Sequence, residues 1–312
     1  MTKVFIDGSA GTTGLRIYER LAERKDLKIL TLPDELRTDP EAKQGAFAEA
    51  DIAFLCLPDA AAIEAAQLAS PDTAVIDTST AHRTAEGWIY GMPELAGHRE
   101  KIASSKRIAN PGCHASGFIA LVAPLVKEGL IAPDTALTCF SVTGYSGGGK
   151  SMIADYEADA RLDLAEEGVT DPLDSPKQYG LTQSHKHLKE MQKISGLKIA
   201  PVFCPIVADF YSGMTVTVPL FAKDLKGKIE DIEEVYRNWY YGKLLHFEPC
   251  PDGGVYGNAL AGRDDMTVTI AGNEERILLI SCFDNLGKGA SGAAIQNMNL
   301  LLGLPEETGL EV

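Results

Sequence analysis

The first 80 residues alternate between short apolar strands and helical segments, and this alternation limits the possible folds more than any other feature. We predict strands at residues 3–6, 28–32, 52–57 and 74–77, and helices at residues 15–24 and 60–70. Strands that alternate with helices in this way form parallel, doubly wound sheets. The sequence therefore predicts an N-terminal α/β domain.

The pattern changes after about residue 117, where longer alternating strands appear. We predict these strands at residues 135–143 and 213–221, with a hairpin of residues 267–270 and 276–281 around Gly272. A chain of 312 residues is long for a single core, so a second domain is expected. Long strands with few helices predict an α+β domain whose sheet has one covered face. The apolar last helix, residues 290–302, should pack on one of the domains.

The charge and the cysteines exclude several classes of protein. The net charge of −15 comes without a dense Lys/Arg block, which argues against a nucleic-acid or membrane-surface partner. The six cysteines show neither C-x-x-C pairs nor zinc-ligand spacing, so we expect reduced thiols, no metal and a cytoplasmic location.

A glycine loop, Gly8-x-x-Gly11-x-x-Gly14, joins the first strand to the first helix. Helix N-termini in this context bind the pyrophosphate of dinucleotides, although the usual spacing is G-x-G-x-x-G. A tight βα turn without a ligand is the alternative. Further candidate phosphate contacts are the hydroxyls of Ser9, Thr12 and Thr13. Asp34 and Arg37 follow the second strand and leave the choice between NAD and NADP open, because an acidic residue favours NAD and an arginine favours NADP.

Cys113 follows Pro111 and Gly112, which end a strand, and precedes a helical stretch at residues 118–127. A cysteine at a helix start meets unpaired N–H groups and a partial positive charge, and both favour the thiolate. Cys113 is therefore a candidate nucleophile, and a small buried thiol is the alternative.

The segment from Gly144 to Ser151 matches the Walker A pattern of P-loop enzymes. That interpretation leaves the first glycine loop and Cys113 unexplained. The candidate Walker B segment ends in Asp209 and contains Pro205, which predicts a poor strand. A glycine-rich turn at a helix start can bind other phosphates, including an acyl phosphate.

Two polar patterns complete the candidate site. In His185-x-His187-x-x-Glu190, the last two residues share a face if the segment is helical, so the carboxylate could orient the imidazole. A solvated helix start is the alternative. Arg83 follows the fourth strand, where ligands of doubly wound sheets bind, and could hold a carboxylate or phosphate.

Taken together, these segments resemble the short form of the N-acetyl-γ-glutamyl-phosphate reductase family. The matching residues run in family order: residues 4–8 with 11–14, Asp77-x-Ser79 with Arg83, residues 90–95, Asn110-Pro111-Gly112-Cys113, Ser146 to Ser151, His185-x-His187-x-x-Glu190, and residues 284–292. The residue after the nucleophile is usually aromatic in this family, often Tyr, and here it is His114.

The resemblance implies a fold shared with glyceraldehyde-3-phosphate and aspartate-semialdehyde dehydrogenases. A Rossmann domain at residues 1–112 binds NADP(H), an α+β domain at residues 113–284 provides catalysis and subunit contacts, and residues 285–312 return to the Rossmann domain. A homodimer or homotetramer is expected. The implied reaction is the NADPH-dependent reduction of N-acetyl-L-glutamyl 5-phosphate to the semialdehyde in arginine biosynthesis.

The resemblance and the residue chemistry together assign candidate roles. A Cys113 thiolate would displace phosphate to form a thioacyl intermediate. We assign proton transfer to His185, positioning to His187 and Glu190, and the oxyanion site to the Cys113 N–H and the Asn110 side chain. The predicted cofactor contacts are the residues of the first glycine loop together with Arg37, Ser79, Asn285, Lys288 and Gly289. The predicted substrate contacts are Arg83, Ser146, Gly147, Lys150 and Lys186.

Three other functions remain open from the sequence. One is a different acyl-phosphate reductase, such as aspartate-semialdehyde dehydrogenase or a lysine-pathway enzyme that acts on a carrier-bound aminoadipyl phosphate. The second is an ATP-hydrolysing P-loop enzyme that uses Gly144 to Ser151. The third is a non-catalytic dinucleotide sensor in which Cys113 is a buried structural thiol.

Overall fold

The computed structural model describes residues 1–159, 161 and 170–312. The chain forms two compact units. The N-terminal unit comprises Met1–Gly112 and Ala290–Glu311, and the C-terminal unit comprises Cys113–Gly289 with Val312. The roles predicted for the domains stay predictions, and we describe each unit by itself.

The strands in chain order are β1 Thr2–Asp7, β2 Leu27–Leu30, β3 Ile52–Leu55, β4 Ala74–Asp77, β5 Ile89–Tyr90, β6 Arg107–Ala109, β7 Thr138–Gly144, β8 Lys177–Gln178, β9 Val202–Ala208, β10 Met214–Phe221, β11 Leu245–Phe247, β12 Met266–Gly272 and β13 Arg276–Phe283. The described α-helices are α1 Thr12–Ala22, α2 Pro40–Glu49, α3 Asp59–Leu68, α4 His98–Ser104, α5 Cys113–Lys127, α6 Gly149–Tyr156, α7 Leu188–Ile194, α8 Ile229–Trp239 and α9 Gly292–Leu301. A π-helical turn, Gly287–Ser291, leads into α9.

The N-terminal unit is a doubly wound sheet, as the strand and helix alternation predicts. Its six strands are parallel in the order β2-β1-β3-β4-β6-β5. Helix α9 packs on one face, where its Ile295 and Met298 join Ile6 and Ile76 in a buried cluster. The predicted return of the C-terminal helix to this domain is confirmed.

The C-terminal unit contains a mixed seven-stranded sheet in the order β11-β12-β13-β10-β7-β9-β8. The predicted hairpin around Gly272 is confirmed, since β12 and β13 pair antiparallel. The prediction that Pro205 makes its segment a poor strand is wrong, because Pro205 lies within β9. The backbone pairing of β9 with β8 ends there, so the missing N–H of Pro205 falls near the sheet edge, where proline is tolerated.

One helix start was predicted too late, and several helices were missed. Helix α1 begins at Thr12, three residues earlier than predicted, whereas α5 begins at Cys113, where the sequence places the first turn of that helix. Helices α2, α4 and α8 were not predicted as such. In α2 the overlooked signal is Asp39, whose side chain accepts a hydrogen bond from the Ala42 N–H just before Pro40. In the part of the chain that the structure describes, no helix is long and apolar enough to cross a membrane.

Helix α5 is buried along most of its length and contains a proline, Pro124. A proline inside a helix leaves the carbonyl four residues earlier without its usual N–H donor. Here that carbonyl belongs to Ala120, and the Tyr240 hydroxyl donates to it at 2.6 Å. The neighbouring Leu121 carbonyl accepts from the Tyr236 hydroxyl. The buried phenol of Tyr240 therefore compensates for the backbone hydrogen bond that Pro124 removes.

We expect the substitution Tyr240→Phe to lower the free energy of unfolding by about 1–3 kcal/mol, because it strips the Ala120 carbonyl of its donor. Urea denaturation measures this loss. The matched control is Tyr241→Phe, since Tyr241 is 85% exposed and should change stability little. Equal effects of the two substitutions would contradict the compensating role of Tyr240.

Candidate active site

The glycine loop lies at the carboxyl end of β1, beside β3, where the strand order of the sheet reverses. Gly8 has φ +89°, and a Cβ there would overlap the Cys56 carbonyl. A Cβ on Gly14 would overlap the Gly8 carbonyl. The two glycines therefore let the start of α1 approach the strand ends closely.

The first turn of α1 fits a dinucleotide phosphate. Gly11 precedes the helix without a side-chain cap, so the N–H groups that begin at Thr12 have no capping side chain. The hydroxyls of Ser9, Thr12 and Thr13 lie in the same turn. The reversal of strand order is also where doubly wound sheets bind nucleotides. These residues fit the pyrophosphate of a dinucleotide.

Arg37 and Ser79, the other predicted cofactor contacts of this unit, have partners within the protein. The Arg37 guanidinium pairs with Asp34 at 2.6 Å, and its side chain remains 42% exposed. The Ser79 hydroxyl donates to the buried Asp77 carboxylate, whose second neighbour is His82 Nδ1 at 2.6 Å. Their roles toward a cofactor stay predictions.

Arg83 and Asn110 are buried and linked to each other. The Arg83 Nε–H donates to the Asn110 carbonyl, and its Nη2 donates to the Thr78 carbonyl. The Asn110 side chain donates to the Ala290 carbonyl and accepts from the Asn297 amide. Both side chains thus hold the ends of β4 and β6 in place. Their predicted substrate and oxyanion roles stay predictions.

Cys113 is the first residue of α5, as predicted, and its side chain is half-buried. Gly289 packs directly against it, because a Cβ on Gly289 would lie 2.9 Å from the Cys113 Cβ. A larger side chain at position 289 would press on the cysteine. The predicted role of Gly289 as a cofactor contact stays a prediction, and its close approach to Cys113 is a physical reason for a glycine at this position.

His114 occupies the centre of an aromatic cluster in the C-terminal unit. Its Nδ1 lies 2.7 Å from Ser141 Oγ and its Nε2 lies 2.8 Å from Tyr179 Oη. Its ring centroid lies 5.3–5.7 Å from those of three neighbouring rings, Phe203, His185 and His187. Burial first, and the positive charge of His185 second, lower the pKa of His114 to about 3. His114 is therefore neutral at physiological pH.

We expect this burial of His114 to make the protein sensitive to acid. Its folded-state pKa lies below the ordinary value of 6.5, so the unfolded chain takes up the proton first. The contribution of neutral His114 to the free energy of unfolding is fully present above pH 6.5. It decreases by about 1.4 kcal/mol per pH unit as the pH falls toward 3. The free energy of unfolding, measured by denaturation between these pH values, should depend less steeply on pH in His114→Phe than in the wild type. Equal slopes in the two proteins would contradict the neutral state of His114.

The predicted histidine pair lies beside His114. The backbone N–H of His187 donates to His185 Nδ1 at 3.2 Å, so a neutral His185 carries its proton on Nε2. Glu190 Oε1 lies 3.9 Å from His187 Nε2, the i, i+3 contact that the sequence predicts. The carboxylate thus contacts the imidazole of His187, whereas the backbone N–H of His187 sets the tautomer of a neutral His185.

The segment that matches the Walker A pattern is not a phosphate cradle of the P-loop type. The N–H groups of Tyr145 and Ser146 donate to the carbonyls of Phe210 and Tyr211 instead of pointing into an anion site. The Asn285 amide donates to the Ser146 hydroxyl and accepts from the Gly213 N–H. The preceding strand lies in a mixed sheet. Asn285 and Ser146, predicted as cofactor and substrate contacts, therefore fasten this turn to the sheet.

The predicted cationic residues of this unit differ in exposure. Lys150 and Lys186 are exposed, as is Gly147, whereas Lys288 is only 4% exposed. Their contacts with a ligand stay predictions. Sequence reasoning missed Tyr179 and Ser141, which contact His114 from 65 and 27 residues away along the chain. The one local signal for Tyr179 in the sequence is its position six residues before the candidate site residue His185. Among the described residues, no cluster of possible metal ligands occurs.

Comparison with known proteins places this site in a family. Residues 113–285 match the semialdehyde dehydrogenase dimerisation domain, and residues 31–105 match the semialdehyde dehydrogenase NAD binding domain. The N-acetyl-gamma-glutamyl-phosphate reductase 2 of Nostoc sp. is 44% identical, with 99% of each chain covered. The protein of the same name from Pseudomonas putida is 42% identical, with 98% of each chain covered. The chain belongs to the N-acetyl-γ-glutamyl-phosphate reductase family.

Solved structures of semialdehyde dehydrogenases share the fold of this reductase family member. Aspartate semialdehyde dehydrogenase II of Vibrio cholerae, complexed with ASA, has a TM-score of 0.72 at 17% identity and covers 97% of this chain and 98% of its own. Aspartate semialdehyde dehydrogenase of Candida albicans, solved with NADP, has a TM-score of 0.66 at 16% identity, with 97% and 99% covered. These similarities confirm the predicted fold class.

Proposed function

We propose that this protein reduces N-acetyl-L-glutamyl 5-phosphate to N-acetyl-L-glutamate 5-semialdehyde with NADPH and releases phosphate, acting in the cytoplasm in arginine biosynthesis. The observation that carries the proposal is Cys113 at the start of α5, next to a cluster containing His185, in a chain of this family. A helix start favours the thiolate that the reaction requires.

The Cys113 thiolate attacks the acyl carbon, and phosphate leaves with the electron pair of the broken C–O bond. The backbone N–H of Cys113 at the helix start donates to the oxyanion of this step. NADPH, held at the glycine loop, would supply the hydride that reduces the resulting thioester. Protonated His185 gives a proton to the oxygen that becomes the hydroxyl of the hemithioacetal, and is left neutral. His185 takes this proton back as the C–S bond of the hemithioacetal breaks, so that the aldehyde leaves and Cys113 is again a thiolate.

The reaction run backwards tests the proposal directly. The protein is mixed with N-acetylglutamate semialdehyde, inorganic phosphate and NADP⁺, and NADPH formation is followed by absorbance. We expect a signal that depends on phosphate. Turnover of aspartate semialdehyde instead would keep the chemistry and change the substrate. No turnover with either aldehyde would refute the proposal.

We propose that two copies of the chain associate through the outer face of the seven-stranded sheet. Several large apolar side chains project from this face: Phe140 is 44% exposed, Val202 55% and Leu278 38%. The half-buried positions between them are uncharged, namely Thr138, Val142, Cys204, Ile206, Thr215, Thr217 and Ile280. An apolar face of this kind on a domain described as a dimerisation domain fits a second copy.

A charge placed on this sheet face should separate the subunits. We expect Phe140→Glu to raise the dissociation constant at least about 100-fold, because the carboxylate would be desolvated against apolar side chains. Light scattering after gel filtration measures the mass. Ile63→Glu, at a residue 44% exposed on α3 of the N-terminal unit, is the control. An unchanged mass for Phe140→Glu would exclude this face as the interface.

A further inference from the structure

We propose that Tyr179 is a further residue of the reaction site, with its hydroxyl held by His114 so that it donates a hydrogen bond to the Cys113 thiolate. The proposal rests on the proposed function only in taking Cys113 as the nucleophile. It assigns His114 and Ser141 as positioning residues that act through Tyr179.

The hydrogen bonds of neutral His114 can run in either of two directions, and the proposal assigns one of them. Neutral His114 has one donor nitrogen and one acceptor nitrogen. In the assigned direction the Ser141 hydroxyl donates to Nδ1 across 2.7 Å, and the Nε2–H donates to the Tyr179 oxygen across 2.8 Å. The phenol then has its own proton to donate. Each group in the series accepts a hydrogen bond from one neighbour and donates one to the next. The hydrogen bonds in such a chain strengthen one another.

The phenol keeps its proton beside the nucleophile. Burial first, and the negative charge of Cys113 second, raise the pKa of Tyr179. The geometry places the phenol in the same site, because its hydroxyl lies 2.8 Å from the residue that follows Cys113 and its ring centroid lies 6.2 Å from that of His185. A neutral donor next to a thiolate stabilises the anion, since hydrogen bonds to a charged form favour that form.

Tyr179 sits on a fixed backbone. Its N–H donates to the Pro205 carbonyl, which continues the pairing of β8 with β9. Gly180 then turns the chain at φ +64°. Gln183 fastens the turn, because its side-chain amide donates to the Phe203 carbonyl and accepts from the Phe203 N–H. A hydroxyl held this way needs little reordering when the thiolate forms.

The position after the nucleophile explains why His114 suits this role. His114 follows Cys113 directly in α5, so the residue that orients Tyr179 moves with the nucleophile. A tyrosine at position 114, as the family often has, would bring a single hydroxyl. Histidine brings an acceptor and a donor on opposite sides of one ring, which lets it link Ser141 to Tyr179.

The test follows the alkylation of Cys113 by iodoacetamide as a function of pH, with mass spectrometry of the peptide that contains it. We expect Tyr179→Phe to raise the midpoint by about one pH unit, so that alkylation well below the midpoint is about tenfold slower. Cys250, an exposed thiol, is the internal control and should keep its midpoint.

Three further variants distinguish the loss of the positioning of Tyr179 from a general loss of structure. His114→Phe should raise the midpoint as Tyr179→Phe does, and His114→Gln, which retains a donor and an acceptor, should restore part of the shift. Tyr240→Phe loses a buried phenol hydrogen bond elsewhere in the same unit and should leave the midpoint unchanged. An unmoved midpoint in Tyr179→Phe would overturn the role of Tyr179 alone. An ordinary thiol midpoint in the wild-type protein would overturn both this proposal and the nucleophile.

Discussion

Cys113→Ala should reduce turnover in both directions at least about 1,000-fold, because the substitution removes the thiolate that carries the acyl chain between phosphate release and reduction. NADPH binding should stay within about twofold of wild type, since the glycine loop lies in the other unit and alanine retains the helix start. Steady-state rates and a fluorescence titration with NADPH measure the two quantities.

Cys250→Ala is the matched control for this substitution. It removes an exposed thiol of the same unit and should leave turnover unchanged. A Cys113→Ala protein that retained a tenth of the wild-type rate would rule out the covalent mechanism. Loss of both turnover and NADPH binding would indicate instead that the substitution damages the fold.

The second large effect is expected at the histidine pair. His185→Gln should lower kcat about 100- to 10,000-fold, the usual contribution of a positioned acid or base. Glutamine can still form hydrogen bonds but cannot pass a proton on. His187→Gln should cost less, because its backbone N–H, which orients His185, remains in place.

The pH profile of kcat distinguishes the two histidines further. In the wild type we expect one limb of this pH profile to report the ionisation of the acid–base group. The limb should be lost in His185→Gln and only displaced along the pH axis in His187→Gln. A larger loss of kcat in His187→Gln would transfer the proton-transfer role to His187 and leave His185 as a positioning group.

The difference between the two glycine-rich motifs shows where sequence reasoning ends. The first loop carries a requirement that the sequence can show, because Gly8 adopts a φ of +89°, which glycine takes without strain. The second matches a P-loop letter for letter, yet its N–H groups bond to carbonyls at Phe210 and Tyr211. Those partners lie more than 60 residues away, so the letters alone could not reveal them.

The sequence by itself determined the doubly wound sheet, the cysteine at a helix start and the His187–Glu190 contact. Each depends on periodicity or on spacings of a few residues, which the local backbone enforces. Only the tertiary structure decided that His114 is neutral and that Tyr179 joins it. Burial and hydrogen bonding of a side chain depend on which distant segments surround it, and here β7 and the chain after β8 do so.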